Sequence, residues 1–266
     1  MVTPDFAEIF RRVDRAGRHR TEMFDLASAH CGGRPIETNI ELSSEEIRVL
    51  ARAREPFPVD VALAFSDWAH QLRSALDGIV YQLAVRDSGQ SPPPGDDQLQ
   101  YPLSVTPEKF ANEARRRLKH LSAISIEEIE RTQPYNIPTG EHGHALWWLH
   151  EVARIDRHRL AHEFAWNVRG VELDIRGLAG AQVDDCDHTL TYVTHEQTTR
   201  ITTITPPPGV RPQPGSSVDV LAWPEIPRWH SDAFPSYRQY GLIDRMEKVE
   251  ELIRRMAQYF AERNGW

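Results

Sequence analysis

The sequence predicts an α+β fold, in which a bundle of four to five helices accompanies a small antiparallel β-sheet. Apolar residues recur at helical spacing along the first 166 residues and again near the end of the chain. The stretch after Trp166 is instead rich in Thr, Val, Ile and Tyr, which favour strands. We therefore predict a mainly helical core at 1–166 with a short hairpin at 36–53, a β-rich insertion at 167–235, and a C-terminal helix at 236–266 that packs back on the bundle.

The first helix is predicted to begin at Thr3-Pro4-Asp5, because Thr is a good N-cap, Pro suits the first helical position and an acid favours the first turn. Gly32-Gly33 is predicted to end it. Its outer face carries a run of arginines. We interpret this face as solvated, and contact with RNA is the less favoured alternative. The run consists of Arg11, Arg12, Arg15, Arg18 and Arg20.

Two alternating apolar runs follow the first helix. Ile36, Thr38, Ile40 and Leu42 alternate with polar residues, and so do Ile47, Val49 and Ala51. A period of two predicts two strands, which the Ser43-Ser44-Glu45-Glu46 connector joins as a hairpin. The same connector is also a helix-capping signal, so the second run stays open to a helical interpretation.

A second long helix is predicted over residues 59–87, where a continuous apolar stripe runs at helical spacing. The opposite side carries His70, Ser74, Asp77 and Tyr81, with Arg73 to one side. If this face meets the central segment described below, His70 and Asp77 can join a site there. The alternative is an ordinary solvated face, which amphipathicity alone predicts.

The densest basic cluster lies near the end of a shorter helix that Thr106-Pro107-Glu108 opens. Its members are Arg115, Arg116, Arg117, Lys119 and His120. Because clustered cations neutralise phosphates, we predict that Arg115, Arg116, Arg117 and Lys119 contact an RNA backbone.

The rest of the chain is predicted to form strands, followed by a last helix. Residues 171–175, 189–205 and 218–222 have strand composition, and we predict that they form an antiparallel meander, with the 36–53 strands as candidates for the same sheet. Residues 239–263 carry apolar positions at four-three spacing. Since only three heptads are present, a bundle helix is a better interpretation than a free coiled coil.

The central segment, residues 143–166, is predicted to be a helix that is apolar around most of its circumference. It also carries His144, His150, His158 and His162, together with three arginines. Asp156 lies within the apolar stripe, and a buried carboxylate needs a paired cation or several donors. We therefore expect a polar network or a site on this helix.

Within this segment, Arg157-His158-Arg159-Leu160-Ala161-His162-Glu163-Phe164 resembles the signature of the HEPN superfamily, in which four to six residues separate an Arg from a His. The second position is polar here, and Phe164 stands where Tyr is more usual. A longer string, from Leu146 to His150 and from Ile155 to Arg159, is similar to a group of uncharacterised bacterial proteins, and that second resemblance implies no activity.

The HEPN resemblance implies a metal-independent endoribonuclease of a toxin or defence system, with a homodimer that brings two motifs together and a cognate antitoxin as a partner. It implies that His162 moves a proton of the ribose 2′-hydroxyl or of the leaving oxygen. Arg157 would then stabilise the phosphate charge, and His158 would help to position the substrate. We add Asp77, His70, Asp156 and His150 as auxiliary residues.

Two observations limit this resemblance. HEPN proteins do not usually carry a long β-rich tail such as the one predicted here. A separation of five residues also places Arg157 and His162 about 140° apart around one helix. The two side chains can therefore converge only if the helix end bends or if a second subunit contributes one of them.

Two other interpretations of the segment stay open. In the first, Asp156, Arg157 and His150 form a structural network that holds helices together in a non-catalytic or protein-interaction bundle. In the second, His158 and His162 lie on adjacent turns and bind a divalent metal, with His150, Asp156 or His70 as a third ligand.

Composition excludes several other classes. The 266 residues carry a net charge of −8, which argues against a dedicated nucleic-acid coat protein but not against a local basic patch. Cys31 and Cys186 are the only cysteines and form no paired CxxC motif. No P-loop, dinucleotide fingerprint or nucleophile elbow is present, so we expect no cofactor. With no signal peptide and no apolar run of about twenty residues, we expect a cytoplasmic protein that does not enter a membrane.

Overall fold

The computed structural model describes residues 4–43, 46–138, 144–158, 162–174, 182–183, 190–207, 217–229 and 240–263. Within them the chain forms six α-helices and seven β-strands, and the strands pair only in the antiparallel sense. The predicted α+β class is confirmed. None of the helices in these ranges is long and apolar enough to cross a membrane.

The elements have the following bounds. The helices are α1 (Ala7–Gly32), α2 (Val59–Ser88), α3 (Pro107–Arg117), α4 (Ala123–Arg131), α5 (Ala145–His158) and α6 (Leu242–Arg263). The strands are β1 (Ile36–Leu42), β2 (Ile47–Ala53), β3 (Ala165–Asp174), β4 (Gln182–Val183), β5 (Tyr192–Val193), β6 (Thr199–Thr205) and β7 (Ser217–Glu225).

The chain divides into two compact units. The helical unit consists of Met1–Met23, Ala62–His162 and Phe234–Trp266, and the β-rich unit consists of Phe24–Val61 and Glu163–Ala233. The hairpin at 36–53, which we predicted as part of the helical core, therefore belongs with the β-rich region. The C-terminal helix α6 lies in the same unit as α5.

One carboxylate links three helices of the helical unit. Glu250 of α6 accepts hydrogen bonds from the Arg20 Nε of α1 and from the Trp68 indole N–H of α2, both at 2.9 Å. Its side chain is 13% exposed, so the ion pair with Arg20 is largely shielded from water. A second carboxylate, Glu247, lies 2.8 Å from the same guanidinium. Polar pairing thus fixes how these three helices are aligned along their lengths.

Apolar contacts complete the packing of α2. The Trp68 ring lies 5.7 Å from the Trp148 ring of α5, and Phe65 stacks on Trp68 at 5.4 Å. At Gly78, an added Cβ would lie only 3.1 Å from the Ile9 side chain of α1. The glycine therefore lets α1 and α2 approach closely at this level.

The two shorter helices begin with side-chain caps. The Thr106 hydroxyl accepts the backbone N–H of Lys109 at the start of α3, as the Thr-Pro-Glu sequence predicts. The Ser122 hydroxyl accepts the N–H of Ser125 at the start of α4. Asp87 at the end of α2 accepts the backbone N–H of Ser122, which ties this cap to the long helix.

The β-rich unit contains two sheets, where we predicted one. One sheet has the order β1-β2-β6-β4, and the other has the order β5-β3-β7. Ile36 pairs with Ala53 and Leu42 with Ile47, so the predicted hairpin is confirmed and its second run is a strand rather than a helix. Strand β2 then pairs with β6, which settles where the hairpin joins the later strands.

Side chains from both sheets form one apolar core. Alternate residues of β2 point into it, which agrees with the period of two in the sequence. The buried members are Ile47, Val49, Ala51, Ala53, Trp166, Val168, Val193, Ile201 and Ile204.

The central segment differs from its predicted extent. The sequence predicts one helix through Trp166, but α5 ends at His158, and Ala165 and Trp166 already belong to β3. Trp166 and Val168 lie two residues apart and are both buried in the sheet core. A short apolar run is compatible with a helix or with a strand. The burial of these two side chains between the sheets favours the strand.

We expect Glu250→Ala to lower the free energy of unfolding by about 2 kcal/mol, because the change leaves the Trp68 indole N–H without its acceptor and takes from Arg20 the more buried of its two carboxylate partners. Urea denaturation of the variant and the parent protein measures this. Glu251→Ala is the matched control, since Glu251 is 64% exposed and lies 3.7 Å from Arg255. It should change stability by less than about 0.5 kcal/mol. Equal effects of the two changes would contradict the role given to Glu250.

Candidate functional site

Helix α5 lies in the core of the helical unit, as its composition predicts. Its buried residues are Leu146, Trp148, Leu149, Val152, Ala153 and Ile155. The guanidinium of Arg245, a fully buried residue of α6, lies 5.3 Å from the centre of the Trp148 ring. A cation over an indole face is favourable, and more so away from water. The helix that carries the HEPN-like residues is therefore held from two sides, by α2 and by α6.

His144 starts α5. Its Nδ1 accepts the backbone N–H of Leu146 at 3.1 Å, and its carbonyl accepts the N–H of Trp148. This is the arrangement of an N-cap, with an imidazole nitrogen in place of the usual oxygen. Burial lowers the pKa of His144 to about 4, because a buried cation is poorly solvated. The residue is therefore neutral at pH 7 and has a structural role.

His162, the predicted proton-transfer residue, is buried in the helical unit and only 7% exposed. Its Nε2 lies 3.2 Å from the Val152 carbonyl oxygen of α5. The ring also meets Phe65 of α2 edge-on, with centroids 5.2 Å apart and planes at 86°. A carbonyl can only accept a hydrogen bond, so Nε2 carries the proton in this contact, and in the neutral ring Nδ1 holds the lone pair.

The other members of the motif are described only in part. The backbones of Asp156, Arg157 and His158 lie in the last turn of α5, and their side chains lie outside what the structure describes. The predicted convergence of Arg157 and His162 therefore stays a prediction, and so does the pairing of Asp156. The metal interpretation rests on the His158 side chain as well. The described residues hold no group of three or more His, Cys, Asp or Glu that would suit a metal ion.

The auxiliary residues have separate surroundings. His70 is exposed on α2, and His150 stacks on Trp147 with ring centroids 5.2 Å apart. Asp77 accepts the backbone N–H of Tyr101 at 2.8 Å and lies 3.3 Å from the guanidinium of Arg73. The described contacts of Asp77 thus hold the loop before α3 against α2.

Sequence reasoning missed the burial of Arg73. The side chain is 7% exposed, and its guanidinium donates to the Tyr101 carbonyl. Tyr101 is itself fully buried, and burial raises the pKa of its phenol. The i,i+4 spacing of Arg73 and Asp77 was the available signal, although the same spacing is common on solvated faces.

The four residues of the basic cluster that we predicted to contact RNA fall into two pairs. Arg116 donates two hydrogen bonds to the Glu113 carboxylate, at 2.7 and 2.8 Å, and Arg117 lies 3.7 Å from the same group. Arg115 donates instead to the Asn112 side chain at 2.7 Å and to the Ala111 carbonyl at 3.2 Å. Lys119 donates to the Gln98 amide oxygen at 3.1 Å. One carboxylate therefore serves the first pair, whereas the second pair has neutral acceptors.

Arg115 and Lys119 also line a cavity of about 460 Å³ between α3 and α4. Its other lining residues are Phe110, Ala111, Ala114, Ile126 and Glu130. Apolar side chains thus form most of the lining, with two cations and one carboxylate among them. No sequence pattern indicated this cavity, because it depends on how two short helices pack.

A left-handed glycine sits beside the Lys119 side of this cavity. Gly95 has φ +67°, and a Cβ added there would lie 2.9 Å from the His120 ring and 3.6 Å from the Lys119 side chain. Any other residue would therefore be strained in its backbone and crowded against the basic cluster. The glycine lets the loop that carries Gln98 pass close to Lys119.

We expect the parent protein to lose about 3 kcal/mol of stability through His144 as the pH falls from 6.5 to 4. The folded-state pKa of about 4 lies below the unfolded value of 6.5, so the unfolded state binds the proton first. Above pH 6.5 His144 is neutral in both the folded and the unfolded state, so its titration costs no stability there. Denaturation across this range should show a flatter pH dependence for His144→Asn, because Asn caps a helix without titrating. An identical dependence in both proteins would contradict this assignment, and His70→Asn serves as the exposed control.

No protein-family model matches this chain, and no curated protein or solved structure is significantly similar to it.

Proposed function

We propose that this protein acts on RNA as a HEPN-like, metal-independent endoribonuclease, with His162 as the proton-transfer group. The observation that supports this most is the fixed orientation of the His162 ring. Its Nε2–H bonds to a backbone carbonyl of the same helix that carries Arg157, at 3.2 Å. A hydrogen bond of this kind sets the tautomer of a catalytic histidine, so that in the neutral ring the opposite nitrogen carries the lone pair.

The chemistry that follows is proton transfer without a metal. Nδ1 of the neutral ring would accept the proton of a ribose 2′-hydroxyl as that oxygen attacks the adjacent phosphorus. The bond from phosphorus to the 5′-oxygen would then break, which leaves a 2′,3′-cyclic phosphate, and the imidazolium would return its proton to the departing 5′-oxygen. The Val152 carbonyl, still bonded to Nε2, would stabilise the imidazolium that forms. By the resemblance, Arg157 would balance the charge on the phosphate oxygens and His158 would position the substrate.

In this proposal the basic cluster is the surface that RNA approaches, because the chain as a whole is negatively charged. A chain with a net charge of −8 repels a polyanion on average, so RNA would have to approach a local positive region. Arg115 and Lys119 fit that part best, because their described partners are neutral. A homodimer and a cognate antitoxin belong to the proposal through the resemblance alone.

The second candidate is a non-catalytic bundle whose polar residues only hold the helices together. The burial of His162 favours it, because a ring that is 7% exposed offers little surface to a substrate. The contacts of Asp77 with Tyr101 and Arg73 also favour it, because they hold the loop before α3 against α2. In this alternative, His162 ties the residues after α5 back to Val152 and Phe65 and has no role in a reaction.

Replacement of His162 by Gln separates the two candidates. A glutamine amide can donate to the Val152 carbonyl as Nε2 does, but it cannot take up a proton near neutral pH. We expect the purified protein to cleave total cellular RNA in EDTA, and His162→Gln to lower the cleavage rate by about 10²- to 10⁴-fold with little change in melting temperature.

Two controls accompany this measurement. His195→Gln changes a histidine of the β-rich unit that has no part in the proposed site, and it should leave cleavage unchanged. Arg157→Gln should lower cleavage as His162→Gln does if the two residues share a site. RNA that stays intact with the folded parent protein would contradict the ribonuclease proposal, and a His162→Gln variant that cleaves at the parental rate would remove His162 from the reaction.

A further inference from the structure

We propose that the cavity between α3 and α4 binds a small organic carboxylate with an apolar body and a hydrogen-bond donor at its far end. The cavity is open to solvent and has a volume of about 460 Å³, which lies within the usual range for small-molecule sites. Phe110, Ala114 and Ile126 give it an apolar lining, which provides the favourable burial of a hydrocarbon or aromatic group. This inference goes beyond RNA cleavage and does not depend on it.

The cationic end of the cavity is already organised for an anion. Asn112 and the Ala111 carbonyl hold the Arg115 guanidinium, and Gln98 holds the Lys119 ammonium. Neutral acceptors fix the positions of these two cations and leave their charges uncompensated, in contrast to Arg116 and its carboxylate partner. A ligand anion could therefore accept charge-assisted hydrogen bonds from both cations without displacing a carboxylate that they contact in the described structure.

Glu130 of α4 contributes the one carboxylate of the lining. Its Oε1 accepts the Tyr135 hydroxyl at 3.0 Å. Arg115 and Lys119 lie at the last turn of α3 and just beyond it, whereas Glu130 lies in the last turn of α4. The lining therefore carries two cations from one helix and the turn after it, and one carboxylate from the other helix.

This polarity selects the ligand class. A carboxylate at Arg115 and Lys119 would be kept apart from Glu130 by the apolar body, and an N–H at the far end could donate to the Glu130 carboxylate. An RNA backbone alone would use the cations but would bury nothing against Phe110 and Ile126. An aryl carboxylate with a ring N–H uses all three parts of the cavity.

Indole-3-acetate is a suitable probe, and indole-3-acetamide is its neutral control of nearly the same shape. We expect saturation-transfer NMR and calorimetry with the full-length protein to detect indole-3-acetate, and the amide to bind at least about tenfold more weakly. Benzofuran-3-acetate, which lacks the ring N–H, should also bind more weakly than the indole. Equal affinity of the acid and the amide would overturn the proposal, and so would the absence of binding by any of the three.

Variants place the binding in this cavity. The double change Arg115→Gln and Lys119→Gln should weaken indole-3-acetate at least about tenfold, whereas Arg116→Gln should leave its affinity within about twofold, because Arg116 pairs with Glu113 outside the lining. Circular dichroism checks that both variants fold. If the double change instead weakens RNA binding and no carboxylate binds the parent protein, the two cations serve a nucleic acid and the small-molecule proposal fails.

Discussion

The hydrogen-bonded carboxylate of Glu250 is the constraint on which the helical unit depends. It accepts hydrogen bonds from Arg20 of α1 and Trp68 of α2, so one acidic residue of α6 helps to fix the relative positions of three helices. A largely buried carboxylate is tolerated only with such partners. Because Trp68 packs on Trp148, the same pairing sets the place of α5. The helix that carries Arg157 is thus positioned in part by an ion pair between two other helices.

Much of the fold was predictable, because hydrophobic periodicity reports which face of an element is buried. It identified α1, α2, α3, α5 and α6 and the hairpin, including the period of two in β2. It could not report partners. The pairing of β2 with β6 joins residues about 150 positions apart, and no local pattern encodes that. The end of α5 was misjudged for a related reason, since Trp166 and Val168 are apolar in either conformation and only the sheet core selects the strand.

The candidate site was predictable to a smaller extent. The sequence pointed to His162 and the basic cluster, but not to the carbonyl that holds the ring or to the carboxylate that divides the cluster. Local spacing favours the Arg116–Glu113 pair, which lies three residues apart on one helix. The partner of Lys119 is 21 residues away in sequence, and Glu130 reaches the same cavity from another helix. Such relations arise from tertiary packing, which one-dimensional patterns do not contain.

The backbone conformation of Gly95 determines how substitutions at this position should behave. Its left-handed backbone and its closeness to His120 make almost any substitution costly, although it has no side chain and lies outside the cavity lining. A change there would displace the loop that carries Gln98 and so move the Lys119 charge. In a mutational scan of this protein, position 95 should therefore behave as part of the basic cluster, and its phenotype should follow that of Lys119 rather than that of its own neighbours in the loop.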